Sequence, residues 1–142
     1  MSRTTNRAAG VPGLIIIASR FGPEETMNRL EAAIRARGLM IFVNIDHAAG
    51  ATAAGLSLLL TELLIFGSAA AGTPLMQAAQ TIGIDLPLKV LVWQDEARRT
   101  WLSYNDPGWL ARRHRLAANV AVKVEAMVTL LAGLAATATG SA

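Results

Sequence analysis

From Leu14 to Ser19 the chain is a compact β-branched run, and beyond it the apolar positions change period. Met27, Leu30, Ala33 and Ile34 recur at the spacing of one helix face. Pro23, Glu24 and Glu25 stand in the first turn of that helix, Arg35 and Arg37 in its last, and Gly38 just beyond it. Proline and acidic groups at a start, with basic groups and glycine at an end, complement the helix dipole and the backbone geometry of a terminus. Leu39 to Asp46 then alternates with period two, placing Leu39, Ile41, Val43 and Ile45 on one face and Met40, Phe42, Asn44 and Asp46 on the other. His47 to Gly55 reads as a weak Ala/Gly helix, Glu62 to Gly67 as a strand, and Thr73 with Pro74 as the cap and first position of a helix ending by Gly83. Leu88–Asp95 and Thr100–Asn105 form a predicted hairpin, Asp106 and Pro107 open a helix running to about His114, and a last long helix runs from Ala117 to about Ala136.

This order lacks the regular strand–helix alternation of a parallel sheet. It predicts an α+β fold, a mainly antiparallel sheet with helices packed against it, in one domain over residues 11–142 behind a loose tail of residues 1–10.

Composition adds three constraints. The 142 residues are 53% hydrophobic and only 16% charged, which suggests apolar surface hidden by a partner subunit. The net charge of +3 is too small to point to nucleic acid. The absence of cysteine excludes disulfides, thiolate metal sites and cysteine nucleophiles. The apolar stretch Val124 to Ala138 falls short of the roughly 20 residues a membrane span needs, and Arg3 and Arg7 precede too short an apolar run for a signal peptide. Both points predict a cytoplasmic protein without a membrane span.

Several segments together resemble a known family. Ile45-Asp46-His47-Ala48-Ala49-Gly50-Ala51, Thr61 to Gly67, Gly72-Thr73-Pro74-Leu75-Met76-Gln77, Asp85-Leu86-Pro87-Leu88-Lys89, Trp101 to Pro107 and Leu110-Ala111-Arg112-Arg113-His114 occur in the order and spacing of the bacterial and archaeal "domain of unknown function 302". The resemblance runs from about Ser19 to about Leu116. It implies a curved antiparallel sheet with helices against it, in the manner of TATA-binding-protein-like folds, a tendency to homodimers, and no assigned activity. The chain departs from the family pattern at Ser68 and Ala69, where an Asn-Pro pair is usual, and at Glu96 to Arg99, where the hairpin turn commonly carries Asp-Gly.

Candidate chemistry gathers at strand ends. Asp46 and His47 end an apolar strand; His47 has the makings of a general base or metal ligand, and equally those of a surface residue beside an Asp46 N-cap. Glu62 opens one strand while Tyr104, Asn105 and Asp106 close another, so an antiparallel sheet offers a way to bring them to Asp46 and His47. Gly67 to Thr73 has the glycine spacing of a phosphate loop without its lysine, leaving Gly67, Gly72 and Thr73 as an anion site or a plain capped helix. Arg112, Arg113, His114 and Arg115 form a basic cluster that also complements a helix C-terminus. Trp93, Trp101 and Trp109 are core or cavity lining. The functional expectation is a homodimeric module binding a small apolar or anionic ligand near Asp46, His47 and Glu62. Its alternative is a small acid/base or metal-assisted enzyme using His47 with Glu62 or Asp106. No motif names a cofactor.

Overall fold

A computed structural model describes residues 10–141. The expected tail of residues 1–10 lies, apart from Gly10, outside the described residues. Five strands, β1 (Leu14–Ala18), β2 (Met40–Asp46), β3 (Thr61–Gly67), β4 (Leu88–Gln94) and β5 (Thr100–Asn105), form one open sheet in the order β1-β5-β4-β3-β2. Every neighbouring pair is antiparallel, as the predicted α+β class requires.

The helices are α1 (Pro23–Ala36), α2 (His47–Ala53), α3 (Ala69–Ala78), α4 (Pro107–Arg113) and α5 (Ala121–Thr139). Helix α1 keeps its predicted limits because each end is chemically marked: Pro23 occupies the first turn with Glu24 and Glu25, and Gly38 beyond the C-terminus has φ +74°. Its buried residues Met27, Leu30 and Ile34 meet Val124, Met127, Leu131 and Leu134 of α5 and the inner sheet residues Leu64, Phe66, Val90, Val92 and Leu102 in a single core.

Strand β2 corrects the predicted alternation. Ile41 pairs with Phe66 but Val43 pairs with Ile65, so Phe42 is an extra residue in a β-bulge. The bulge turns Val43 and Ile45 away from the face of Ile41 and leaves Asn44 and Asp46 on the helix side. Helix α3 also departs from expectation. It begins at Ala69, capped by the Ser68 hydroxyl accepting from the Ala71 N–H at 3.1 Å, and Pro74 lies inside it. A 3-10 turn over Gln80–Ile84 replaces its predicted last turn.

Because side chains alternate along each strand, the face opposite the helices carries Leu14, Ile16, Val43, Ile45, Leu63, Ile65, Leu91 and Trp93. None of them belongs to the core, and Val43 and Ile45 stand exposed. Trp93 stacks on Trp101 directly across the β4–β5 pair, with ring centroids 6.1 Å apart, and its indole N–H donates to the Ser103 hydroxyl at 2.9 Å. Trp93 and Trp101 are thus a cross-strand pair. Trp109 of α4 covers the entry to β1, where Gly13 has φ +75° and a Cβ would come within 2.6 Å of the indole Cγ.

Gly13 and Gly38 separate two effects. Both have positive φ, but nothing lies within 4 Å of a Cβ at Gly38. Gly38→Ala is expected to cost about 1 kcal/mol, the backbone term alone. Gly13→Ala adds a clash and is expected to cost roughly 2–4 kcal/mol in all. Urea unfolding of the two variants measures both, and equal losses would show that Trp109 yields freely.

Candidate functional site

The structure divides the expected strand-end site in two. Asp46 and Glu62 are direct cross-strand partners in β2 and β3. Asp46 is the N-cap of α2, its carboxylate accepting from the Ala49 N–H at 2.9 Å, and His47 is the first residue of that helix, exposed. On its other side Glu62 pairs with Val92, which pairs with Leu102 of β5. Asp106 is the fourth residue beyond Leu102, about 13 Å further along a strand that lies roughly 10 Å from β3. Its carboxylate caps α4 at the Gly108 N–H, 3.0 Å away, and its own N–H donates to the Gly13 carbonyl at 2.8 Å. Tyr104 is buried on the helix side of the sheet, where desolvation, and secondarily the Asp106 charge, pushes its phenol pKa up. The predicted convergence of Tyr104, Asn105 and Asp106 on His47 therefore fails: β3 and β5, each antiparallel to the β4 between them, run parallel to one another, so the start of β3 and the end of β5 lie at opposite ends of the sheet. Among the described residues no group of three or more His, Asp or Glu side chains is placed to hold a metal ion.

The predicted anion loop is not a loop. Gly67 ends β3, and Gly72 and Thr73 already lie inside α3, so the Thr73 hydroxyl is past the helix terminus. Gly67 and Gly72 instead line an apolar cavity of about 170 Å³ with Phe42, Met76, Leu86 and Met127.

The best-connected polar cluster was not foreseen. Asp85, at the end of the 3-10 turn, accepts from His114 Nε2 and from Arg113, whose single Nη1 is shared between its two oxygens at 3.0 and 2.9 Å. Nδ1 of His114 is hydrogen-bonded to the Thr81 hydroxyl at 2.9 Å. The cluster ties the C-terminus of α4 to the segment after α3, and His114 is almost fully buried by it. Arg113 and His114 thus do more than offset a helix dipole. The only hint in the sequence was that Asp85 and His114 both fall in segments that carry the family resemblance.

A second carboxylate, Asp95, organises the β4–β5 turn in place of the usual Asp-Gly. It accepts from the N–H groups of Ala97 and Arg99 at 2.9 and 3.0 Å, from Arg99 Nε at 3.2 Å and from the Trp101 indole at 2.9 Å. The Trp101 hydrogen bond is the largest influence holding its carboxyl below the usual range; desolvation opposes it, and the Arg99 N–H, the Arg99 charge and the Ala97 N–H reinforce it.

An open antiparallel sheet with helices on one face defines the class, and the comparisons with known proteins agree. Residues 15–132 match the family described as "Domain of unknown function DUF302", and the chain belongs to that family. The crystal structure of an uncharacterized conserved DUF302 protein from Bacillus stearothermophilus superposes with a TM-score of 0.79, covering 89% of this chain and 98% of that one at 16% sequence identity, which establishes a shared fold. Curated relatives are named by function. The "Fluoride-specific ion channel FluC 1" proteins of Brucella suis and Brucella abortus are 47% identical over 117 residues, 82% of this chain but only 46% and 43% of their own lengths. The chain spans less than half the length of these relatives.

Those names overturn four expectations. A homodimeric small-ligand-binding module, and its alternative of an enzyme built on His47, both give way to relatives that are ion channels. The cytoplasmic location and the partner set of a second copy and a small ligand with no membrane span give way for the same reason, since an ion channel operates in a membrane. The length argument against a span falls as well. The 3-10 turn Ala118–Val120 extends α5 into a 22-residue helical stretch, Ala118–Thr139, long and apolar enough by length and composition to cross a membrane, with a third of it buried in the fold.

Two measurements probe the polar clusters. Asp85→Ala leaves His114 and Arg113 without their carboxylate and is expected to cost roughly 1–3 kcal/mol in chemical denaturation; an unchanged midpoint would mean the cluster contributes nothing to the fold. Because the folded-state pKa of Asp95 is lowered, its stabilisation is present above the unfolded value of about 4 and disappears as pH falls through the folded value. Asp95→Asn is therefore expected to melt lower than the parent at pH 7 and to converge with it as the pH is taken below the unfolded carboxylate value of about 4, read from paired melting curves.

Proposed function

We propose that this DUF302 domain serves a fluoride-specific ion channel as a non-conducting module, acting at the membrane with the part of the channel that carries the ion. The observation that carries this reading is the 47% identity over 117 residues to proteins named fluoride-specific ion channels, each more than twice as long as the segment matched. The fold supports the assignment of conduction to the unmatched part. A sheet whose edge strands β1 and β2 leave backbone N–H and C=O groups unpaired is costly in hydrocarbon, where spanning structures are helices or closed barrels. Among the described residues one helical stretch has the length of a span, and a selective path takes several elements to line it.

In cells of the host, deleting this chain is expected to raise intracellular fluoride several-fold during growth in fluoride-containing medium, measured with a fluoride electrode on lysed cells, and re-supply of the chain restores the original level. Unchanged accumulation would overturn the link to the channel. The purified chain alone in liposomes is expected to pass no fluoride; efflux from those liposomes would refute its non-conducting role.

A further inference from the structure

The sheet is apolar on both faces, and helices cover only one of them. An antiparallel sheet with one solvated face normally alternates apolar inward with polar outward. Here Ile16, Val43, Ile45, Leu63, Ile65 and Leu91 point away from the core, distributed over β1, β2, β3 and β4. Of the polar side chains on this face, three already have partners within the chain, and Asn105 beside Leu14 stands apart from them. Lys89 Nζ turns back to the carbonyls of Asp85 and Pro87 at 3.2 and 3.1 Å, the Thr61 hydroxyl donates to the Leu59 carbonyl at 2.8 Å, and the Ser103 hydroxyl receives the Trp93 indole. Partial burial holds the Lys89 pKa below its ordinary value, against the pull of the Asp85 charge. Covering such a face desolvates few polar groups that lack a partner, the Asn105 amide chief among them, and unpaired groups are the main penalty for covering polar surface. A shallow depression of about 220 Å³ among Leu14, Leu63, Leu91 and Trp93 gives it relief for a protruding side chain.

We infer that this open face is the docking surface for the apolar helices of a fluoride channel's membrane part. The inference rests on the functional reading above and names the surface that reading needs. Three observations favour this occupant. The charges at the face are Lys89, whose amine is engaged, and Arg99 over Trp101 at its margin, which is held by Asp95, so the face suits a partner that is itself apolar and short of free polar groups, as membrane helices are. The curated relatives carry the matching segment and more than as much additional chain in one polypeptide, and tethering of that kind raises effective concentration to the order of millimolar, so an apolar contact of moderate strength stays closed. Finally, the bulge at Phe42 interrupts the β2 edge, which disfavours strand addition and leaves the face as the surface to cover. The exposed Leu56, Leu58 and Leu60 before β3 extend the apolar margin beyond the sheet.

The absence of cysteine makes a direct test possible. Single-cysteine variants Ile65→Cys and Leu91→Cys on the open face, Val43→Cys at its exposed margin, and Glu96→Cys in the hairpin turn as control are reacted with a water-soluble maleimide in host membranes with and without the fluoride channel gene. The open-face cysteines are expected to react at least tenfold more slowly when the channel is present, with Glu96→Cys unchanged. Equal rates with and without the channel overturn the inference. So does protection in channel-free membranes, which means that lipid covers the face, and so does dilution-sensitive protection of the purified chain, which means that a second copy does. Circular dichroism of each variant verifies folding, and Val43→Cys, at a 43% exposed position, carries the test if a more enclosed variant fails to fold. If deletion of the chain alters fluoride accumulation while the face reacts equally, the functional reading stands and only the surface is wrong.

Discussion

One-sided burial governs this fold. Helices α1 and α5 pack together over the inner residues of β3, β4 and β5, and that layer supplies the core through Leu30, Ile34, Leu64, Phe66, Leu102 and Leu134, all fully buried. Each buried aliphatic side chain of this kind contributes roughly 1.5–3 kcal/mol relative to an exposed one, so the inner layer accounts for the existence of the domain. The strand alternation that builds it places as many apolar residues on the opposite face. Low charge in the sequence has two compositional sources in the structure, a sheet lined with hydrophobic residues on both sides and the apolar helix α5.

The elements with chemically distinct ends were legible in the sequence, while long-range geometry was not. Helix α1 is bounded by Pro23 and Gly38, and the β4–β5 hairpin by the polar segment around Asp95, so both were placed closely. The faces of β2 were misassigned because alternation counts residues, and one bulged residue at Phe42 reverses every face on one side of it. Helix α3 was started late because Thr73-Pro74 imitates a cap followed by a first-turn proline, whereas the cap is Ser68. Asp85 and His114 are separated by 29 positions, and no local pattern couples residues at that distance. The grouping of His47 with Asp106 failed for the converse reason. Polar residues at strand ends share an edge only if the strands run and pair so as to bring those ends together, and the order β1-β5-β4-β3-β2 does not.

Function was the least legible property. Nothing in Asp46, His47 or Glu62 speaks of fluoride, and the family description names no function. The link comes from relatives in which a segment like this one occupies less than half of the chain. The distinctive features of this chain are an uncovered sheet face, the Asp85–His114–Arg113 tie and the carboxylate-centred turn at Asp95.

The strand order also has a kinetic meaning. Strands β2 to β5 form a meander in which each strand pairs with its successor, so these contacts close short loops, whereas β1 reaches its partner β5 only after most of the chain has intervened. Loop-closure entropy places such a pairing late in folding. Strand β1, held at its entry by Trp109 over Gly13, then behaves as a clasp that fastens an already assembled meander. Loosening it would hasten unfolding while leaving the folding rate nearly untouched, which makes the lifetime of the folded domain adjustable from one end of the sheet without disturbing the layer that builds it.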